Sequence, residues 1–586
     1  MAKRIRLCDD ALIHELFQEE SSDEDDFVEN DSDDGEEDIV EEEIHDSDAE
    51  EAVQQPDEES LDIDEDDGDD VPLANVYLVR DKDRNVMKWA KSPPLPRNVR
   101  TRAENIIVRL PGTKGEAREK FSEIECFNLF MDDKLIRLIV TSTNIYINLI
   151  REKFQRDRDA RMTDDVEIRA FLGILFISGA LGSSRKKTKF IWDNSKGSGV
   201  ECCYLAMSEK RFHFLMRCLR FDDYRDRQQR REIDRLAPIR ELFELIIQNF
   251  QTFFTPSEFC TVDEQLIAFR GKCPFRMYMP KKPARYGIKV YALVCAKTMY
   301  TVNLEIYAGT QPNGPYKTSN SSEDVTMRMV EPISSTNRNV TIDNWFTSVS
   351  LAEKLLKEKK LTVVGTIKSR RVGVPHELRP CRDRQINSSL FAFHKKKTLV
   401  SYCPKPNKAV ILLSTMHDDD KIDDETGPKQ KPEIITFYNK TKIGVDVVDQ
   451  MCAKYNVARN TRRWPMVIFF DLMNISSINA LCVYKFNQRT AKKLSRTEFI
   501  QKVAWELIKP QIERRCQIDG LPVQLKKRGK ELLGIIPDGP QQRQNNAIGR
   551  CHLCPRQKDR KSRKNCDKCA LKVCAEHSFT VCRDCF

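Results

Sequence analysis

The 586 residues are enough for three or four domains of ~100–200 residues each; 40% hydrophobic content and a mean hydropathy of −0.54 fit a soluble protein. The formal charge of +7 conceals two opposed parts: residues 1–79 hold 33 acids against Lys3, Arg4 and Arg6, a net of −30, and the remainder holds 94 bases against 57 acids, a net of +37. A body that basic calls for a polyanionic partner, nucleic acid first, because each neutralised phosphate releases condensed counterions.

In chain order, Met1–Arg6 is basic but runs into acids where a secretory signal needs an apolar segment, so the chain is expected to stay inside the cell. From Glu19 to Asp70 there are 30 acids and almost no periodic apolar positions, so residues 1–79 are expected to form no core. Such a tail would compete with DNA for the basic body or merely solubilise the chain. Ser21, Ser22 and Ser47, closely followed by acids, make an acid-directed kinase an expected partner. Around Phe171 to Leu181 lies the longest apolar stretch recognised, too short to cross a bilayer, so no membrane partner is expected.

From about Phe121 to Phe254 the apolar period is helical. Ser208 opens a helix with Phe212, Leu215, Met216 and Leu219 on one face; Ile239, Leu242, Phe243, Ile246, Ile247 and Phe250 follow i, i+3, i+4, i+7 spacing after Pro238. Around Cys260 the period shortens towards 2. Strands are predicted over Thr261–Phe269, Tyr286–Cys295, Tyr300–Ala308, Asn339–Ile342 and Leu361–Ile367, with a helix at Ser348–Glu358 between the last two. That succession indicates a mixed α/β sheet. Residues 369–432, with strands near Leu390–Phe393, Leu399–Tyr402 and Ala409–Ser414, read as a β-rich insertion. Helix returns from Val445 to about Lys509, with a capping-box pair at Ser495 and Glu498 and a stop at Pro510.

Acids are abundant, and Asp132-Asp133, Asp222-Asp223 and Asp418 to Asp420 read as caps or solvated loop. Three others have a different context. Asp263 interrupts the β-rich run Cys260 to Phe269, where a buried carboxylate needs a partner or a metal. Asp343 ends the run Asn339 to Asp343 just before a helix, at the carboxyl end of a strand, where open α/β sheets place their sites. Asp446 and Asp449 lie three apart at the start of an apolar helix and share a face. Two strand acids and one or two helix acids can hold a pair of Mg2+ (or Mn2+) ions about 3.5–4 Å apart for in-line attack at phosphorus; the alternative is a set of structural acids.

Between Arg270 and Lys289 seven bases (Arg270, Lys272, Arg276, Lys281, Lys282, Arg285 and Lys289) interleave with Phe275, Tyr278 and Tyr286, with no acid among them. Such a stretch guides phosphates while its aromatics pack or stack on bases, or it forms an amphipathic hairpin with snorkelling lysines. Lys368, Arg370 and Arg371, and Arg459, Arg462, Arg463 and Trp464, are further candidate DNA contacts.

The strings TVDEQLIAFRGKCPFRMYMPKKPARYGIK, VTIDNWFTS, LTVVGTIKS, YNKTKIGVDVVDQM and TRRWPMVIFFDLMNIS, in this order, resemble the piggyBac family of transposases over roughly Phe121 to Phe586. The resemblance implies an RNase H-like core whose catalytic triad falls on Asp263, Asp343 and Asp446, with Asp449 as a supporting acid. It also implies cut-and-paste DNA transposition: nicking of transposon ends, hairpin formation and opening, and joining at TTAA sites by a nuclear homodimer bound to double-stranded terminal repeats and target. Val372 stands where relatives commonly carry a basic residue.

The chain ends in four ligand pairs, Cys551/Cys554, Cys566/Cys569, Cys574/His577 and Cys582/Cys585, and seven of the 20 cysteines lie in its last 36 residues. That spacing fits two structural zinc ions in a reducing compartment. An interleaved cross-brace would join Cys551, Cys554, Cys574 and His577 at one ion and Cys566, Cys569, Cys582 and Cys585 at the other; a sequential pairing is the alternative. His552 reads as a bystander. By resemblance this unit recognises end DNA and carries a nuclear import signal; a protein-interaction finger is the other reading.

The expected architecture is multidomain α/β plus α. It comprises a disordered acidic tail (1–79), a helical dimerisation and DNA-binding domain in two parts (110–257 and 454–532) and a catalytic domain in two parts (258–368 and 433–453). An insertion (369–432), a linker (533–550) and the zinc-binding unit (551–586) complete it. A domesticated, non-cleaving DNA-binding or chromatin protein is the alternative function.

Overall fold

The structure, a computed structural model, describes residues 40–42, 72–80, 85–94, 101–183, 187–194, 199–280, 282–488, 494–535, 548–566 and 571–579. Most of the acidic tail, with Ser21, Ser22 and Ser47, lies outside them. Within that tail, where no fixed structure was expected, Val40–Glu42 forms a strand, β1. A hairpin of β2 (Val76–Arg80) and β3 (Val86–Ala90) follows.

Helices α1 (Glu123–Asn128), α2 (Asp133–Ile150), α3 (Asp165–Ala180), α4 (Glu201–Ala206), α5 (Glu209–Cys218) and α6 (Arg240–Phe253) come next. Four of these starts are set by side chains that satisfy orphan backbone N–H groups: Ser122 and Glu125 form a capping box on α1, Asp132 accepts from the Leu135 N–H at 2.8 Å on α2, Asp164 accepts from the Glu167 N–H at 2.9 Å on α3, and Ser208 caps α5.

The sheet strands are β4 (Phe259–Ala268), β5 (Arg276–Tyr278), β6 (Tyr286–Cys295), β7 (Thr301–Ile306) and β8 (Asn339–Ile342). After helix α7 (Val349–Lys357), which Ser348 caps, come β9 (Thr362–Thr366), β10 (Ser389–His394), β11 (Lys397–Lys405) and β12 (Lys408–Ser414). The last helices are α8 (Glu433–Thr441), α9 (Gly444–Lys454), α10 (Trp464–Asn487), α11 (Arg496–Cys516) and α12 (Val523–Leu532).

These twelve strands form one mixed sheet, ordered β1-β5-β6-β4-β8-β9-β12-β11-β10-β3-β2, with β7 also on β6; two short two-stranded pairs lie apart from it among the described residues. Strand β4 is antiparallel to β6 and parallel to β8, and β8 is parallel to β9. Beyond β9, strand β12 joins antiparallel, with Gly365 opposite Leu413. Residues 369–432 therefore carry the sheet onward. The unforeseen hairpin β2–β3 closes the far edge, where Ala90 faces Phe393 and Trp89 is fully buried beside His394.

The core is organised around α10. This helix is long and apolar enough to span a bilayer, which the sequence reading overlooked, but 89% of its most apolar window is buried inside the protein. Phe469 packs on Phe221, Trp464 on Phe275 and Phe486 on Phe254. The Asn479 amide imitates a strand neighbour for β7: its Oδ1 accepts from the Thr301 N–H at 2.8 Å and its Nδ2 donates to the Thr301 carbonyl at 2.9 Å.

Helix α11 begins at the expected Ser495–Glu498 box but passes through Pro510 to Cys516. An internal proline costs about 3 kcal/mol; the buried Ile508, Gln511 and Ile512 on either side of it keep the helix docked. Gly173 of α3 permits this approach, since a Cβ there would meet Ile508 Cγ1 at 2.7 Å. The helix expected from Val445 to Lys509 is interrupted between Lys454 and Trp464, where the chain crosses α3 so closely that a Cβ on Gly179 would meet the Tyr455 carbonyl at 2.9 Å.

Candidate active site

Strands β4 and β8 run side by side with Val262 opposite Ile342. One residue further on, Asp263 and Asp343 stand next to each other. Burial chiefly, then the charges of Glu264 and Asp343, push the Asp263 carboxyl up to about 7; the Glu264 N–H, donating to Asp263 Oδ1 at 2.8 Å, and Lys282 act against this. Asp343 closes a turn: its Oδ1 accepts from the Trp345 N–H at 2.9 Å and its carbonyl from the Thr347 hydroxyl at 2.6 Å.

The third acid arrives by docking of a helix pair. Thr261 and Thr341, each two residues before its strand's aspartate, hold the end of α8: Thr261 Oγ1 donates to the Thr441 carbonyl at 2.6 Å and Thr341 Oγ1 to Thr441 Oγ1 at 2.8 Å. Gly444 then lets α9 start flush against β4, because a Cβ there would lie 2.8 Å from Thr261 Oγ1. Asp446 follows in the first turn of α9, with its Oδ1 3.9 Å from Lys282 Nζ; that ammonium donates to the Glu264 carbonyl at 2.8 Å.

Tyr438 of α8 reports the convergence. Burial foremost pushes its hydroxyl up to about 12 against a lowering hydrogen bond with Thr366, and the charges of Asp343, Asp263 and Asp446 all add to the rise. Behind them, burial and then Asp471 lift Asp449 to about 8. Asp471, in the middle of α10, is pushed to about 7 by burial, and its Oδ1 accepts from Gln265 Nε2 at 3.3 Å. Sequence reading missed Asp471, although a lone acid in the run FFDLMNIS was itself a signal. Carboxylates whose charges disfavour one another are hard-oxygen donors of the kind that hold divalent cations.

The basic candidates divide by burial. Arg270, Lys272, Arg285, Arg370 and Arg462 are exposed, and Lys368, Arg371 and Arg463 are partly so. Gly271 brings two of the basic loops together, since a Cβ there would meet the Arg462 carbonyl at 2.8 Å. Four candidates are corrected. Trp464 is buried against Phe275, and Arg459 is buried with its guanidinium on the Ser183 carbonyl and the Ser178 hydroxyl. Arg276 is buried with Nη1 donating to the carbonyls of Arg270 and Gly271, and Lys289 is buried in an ion pair with Glu264. None presents its side chain to a phosphate at the surface. Lys281 lies outside the described residues.

At the chain's end, Cys551, Cys554, Cys574 and His577 converge with all ligand atoms within 4.8 Å of one another; Cys574 Sγ and Cys554 Sγ are 3.3 and 3.5 Å from His577 Nδ1. Bonds of ~2.0–2.3 Å to a central ion give tetrahedral edges of this size, so the cluster is compatible with zinc. The grouping joins the first and third ligand pairs, as the interleaved scheme requires. His552 is exposed. Cys566 is described, whereas Cys569, Cys582 and Cys585 are not.

A mixed sheet that gathers aspartates from two strands and a helix, with exposed basic loops nearby, is the framework of a DNA transposase. A family model described as Transposase IS4 matches residues 122–481. The chain belongs to the piggyBac family of transposases. It is similar to human PiggyBac transposable element-derived protein 2, at 24% identity over 363 residues covering 59% of this chain and 58% of that protein. The human PiggyBac transposable element-derived protein 3 is 22% identical over 369 residues, covering 60% and 59%. The match thus spans less than two thirds of these two relatives. A cryo-EM structure of a piggyBac transposase synaptic complex with hairpin DNA is 35% identical with a TM-score of 0.71, covering 82% of this chain and 100% of that one.

Proposed function

We propose that this chain is a catalytically competent cut-and-paste DNA transposase. The carrying observation is that strand register sets Asp263 beside Asp343, while hydrogen bonds from Thr261 and Thr341 to Thr441 dock against those strands the helix pair that carries Asp446. The strand order β7-β6-β4-β8-β9, three antiparallel strands followed by two parallel ones, supports an RNase H-like reading of the core. Two Mg2+ or Mn2+ ions held by the three aspartates would supply Lewis acidity at a scissile phosphate. The protein's own part is to fix those oxygens and, through Arg270, Lys272, Arg285, Arg370 and Arg462, to guide the DNA backbone past them.

Water would nick each transposon end; the freed 3′-hydroxyl would attack the opposite strand to close a hairpin; opening and rejoining would occur at TTAA. The hairpin DNA in the structural relative's description supports this order. A homodimer in the nucleus, with zinc in the terminal unit, completes the proposal.

The test incubates the protein with Mg2+ or Mn2+ and terminal-repeat DNA flanked by TTAA. Nicks and hairpins are expected from the wild type, and a fall below detection for Asp263→Asn, Asp343→Asn and Asp446→Asn with DNA binding retained. Binding without cleavage by the wild type would replace the proposal with a domesticated DNA-binding role, the state that the human relatives' names suggest.

A further inference from the structure

We propose that Lys289 is a positioning residue that braces the two strand-borne aspartates from behind the sheet; the proposal rests on the catalytic reading above. Asp263 Oδ1 is held by the Glu264 N–H at 2.8 Å, and Asp343 Oδ1 by the Trp345 N–H at 2.9 Å. The side chains of those two donor residues meet at one ammonium. Lys289 Nζ lies 3.0 Å from Glu264 Oε1 and 5.0 Å from the Trp345 ring centroid, with the Tyr291 ring at 5.3 Å. Trp345 and Tyr291 stack at 13° with centroids 5.8 Å apart.

Lys289 and Tyr291 belong to β6, Glu264 to the adjacent β4, and Trp345 to the loop after β8, on the far side of β4. Trp345 therefore reaches back across β4, and the cage ties three neighbouring strands together. The Lys289 and Glu264 side chains are only 4% and 10% exposed. In such a dry setting a cation between a carboxylate and two π-faces is held far more firmly than at a surface. Glu264 and Trp345 each deliver a backbone N–H to a catalytic carboxylate, so a rigid cage fixes the separation of the two acids, on which a shared ion depends.

The experiment uses full-length Lys289→Met and the double variant Lys289→Met/Glu264→Gln, which removes both charges of the pair. Mn2+ binding is read by EPR, and the acid site's share is taken as the part lost in Asp343→Asn. Unfolding temperature, cleavage and salt-dependent DNA binding are measured beside it. In both variants Mn2+ affinity at the acid site is expected to fall about 10- to 100-fold. Cleavage should fall with it and recover towards wild type at high Mn2+. The double variant should regain most of the unfolding temperature without regaining Mn2+ affinity, and the DNA-binding salt slope should not change.

Wild-type Mn2+ affinity in Lys289→Met overturns the proposal. So does a double variant that restores both temperature and affinity, the mark of a purely structural pair, or a salt slope shallower by about one, the mark of a phosphate contact. A wild-type protein with no Mn2+ binding sensitive to Asp343→Asn would overturn the metal-site reading and this proposal with it.

Discussion

Replacing Asp471 by Asn should make the protein more stable at neutral and alkaline pH. The Asp471 carboxyl is buried in the middle of α10 and pushed to about 7, against ~3.9 in an unfolded chain. Between those values the folded state holds a proton that the unfolded state has released. The Asp471 contribution to stability is therefore greatest below about pH 4, declines by up to about 1.4 kcal/mol per pH unit as pH rises, and levels off above about pH 7. About three units of separation give at most about 4 kcal/mol. Asparagine keeps an Oδ1 acceptor for Gln265 and never ionises. Urea unfolding of wild type and Asp471→Asn, followed between pH 4.5 and 8, should show nearly equal stabilities at the acid end and a gap that widens in the variant's favour to a few kcal/mol. Parallel curves would refute the reasoning, because they would mean Asp471 carries no shift of its own.

Three further outcomes are expected. Gly444→Ala adds a good helix former to α9, worth up to about 1 kcal/mol in a helix interior, but its Cβ would lie 2.8 Å from Thr261 Oγ1; cleavage should drop at least tenfold while DNA binding stays near wild type, as a cleavage assay beside a gel shift would show. Trp464→Ala, which empties a fully buried site against Phe275, should cost about 3–5 kcal/mol and leave the salt dependence of DNA binding unaltered. Removing zinc with a strong chelator, or Cys574→Ser, should unfold the terminal unit and abolish shift of end DNA; an unchanged shift would exclude that unit from end recognition.

The sheet was largely legible because its strands are β-branched runs between turn residues: Tyr286–Cys295 and Asn339–Ile342 fall where the alternation puts them. The acids were legible by context, an aspartate inside a strand pattern, one at a strand end and one in a first helical turn. What stayed hidden was set by tertiary packing. A linear run of bases does not say which side chains turn inward, so Lys289, Arg276 and Arg459 read as surface cations. Asp471 was hidden in an apolar run whose burial depends on partners more than 150 residues away, such as Thr301 against Asn479. Pro510 reads as a stop because helix-breaking is a local rule, and the docking of Ile508 and Ile512 overrides it. The hairpin β2–β3 is too short, and too close to the charged tail, to stand out.

The position of α10 in the chain has a consequence for biosynthesis. The ribosome delivers β4 to β9 well before residues 464–487, yet that helix packs on β4 and β7, with Asp471 against Gln265 and Asn479 against Thr301. For the time needed to add roughly a hundred residues, at ~5–20 per second, a nascent chain would expose a half-finished hydrophobic surface. Folding must then be completed late, and truncation anywhere upstream of Asn487 should yield an aggregating fragment in place of a smaller working enzyme.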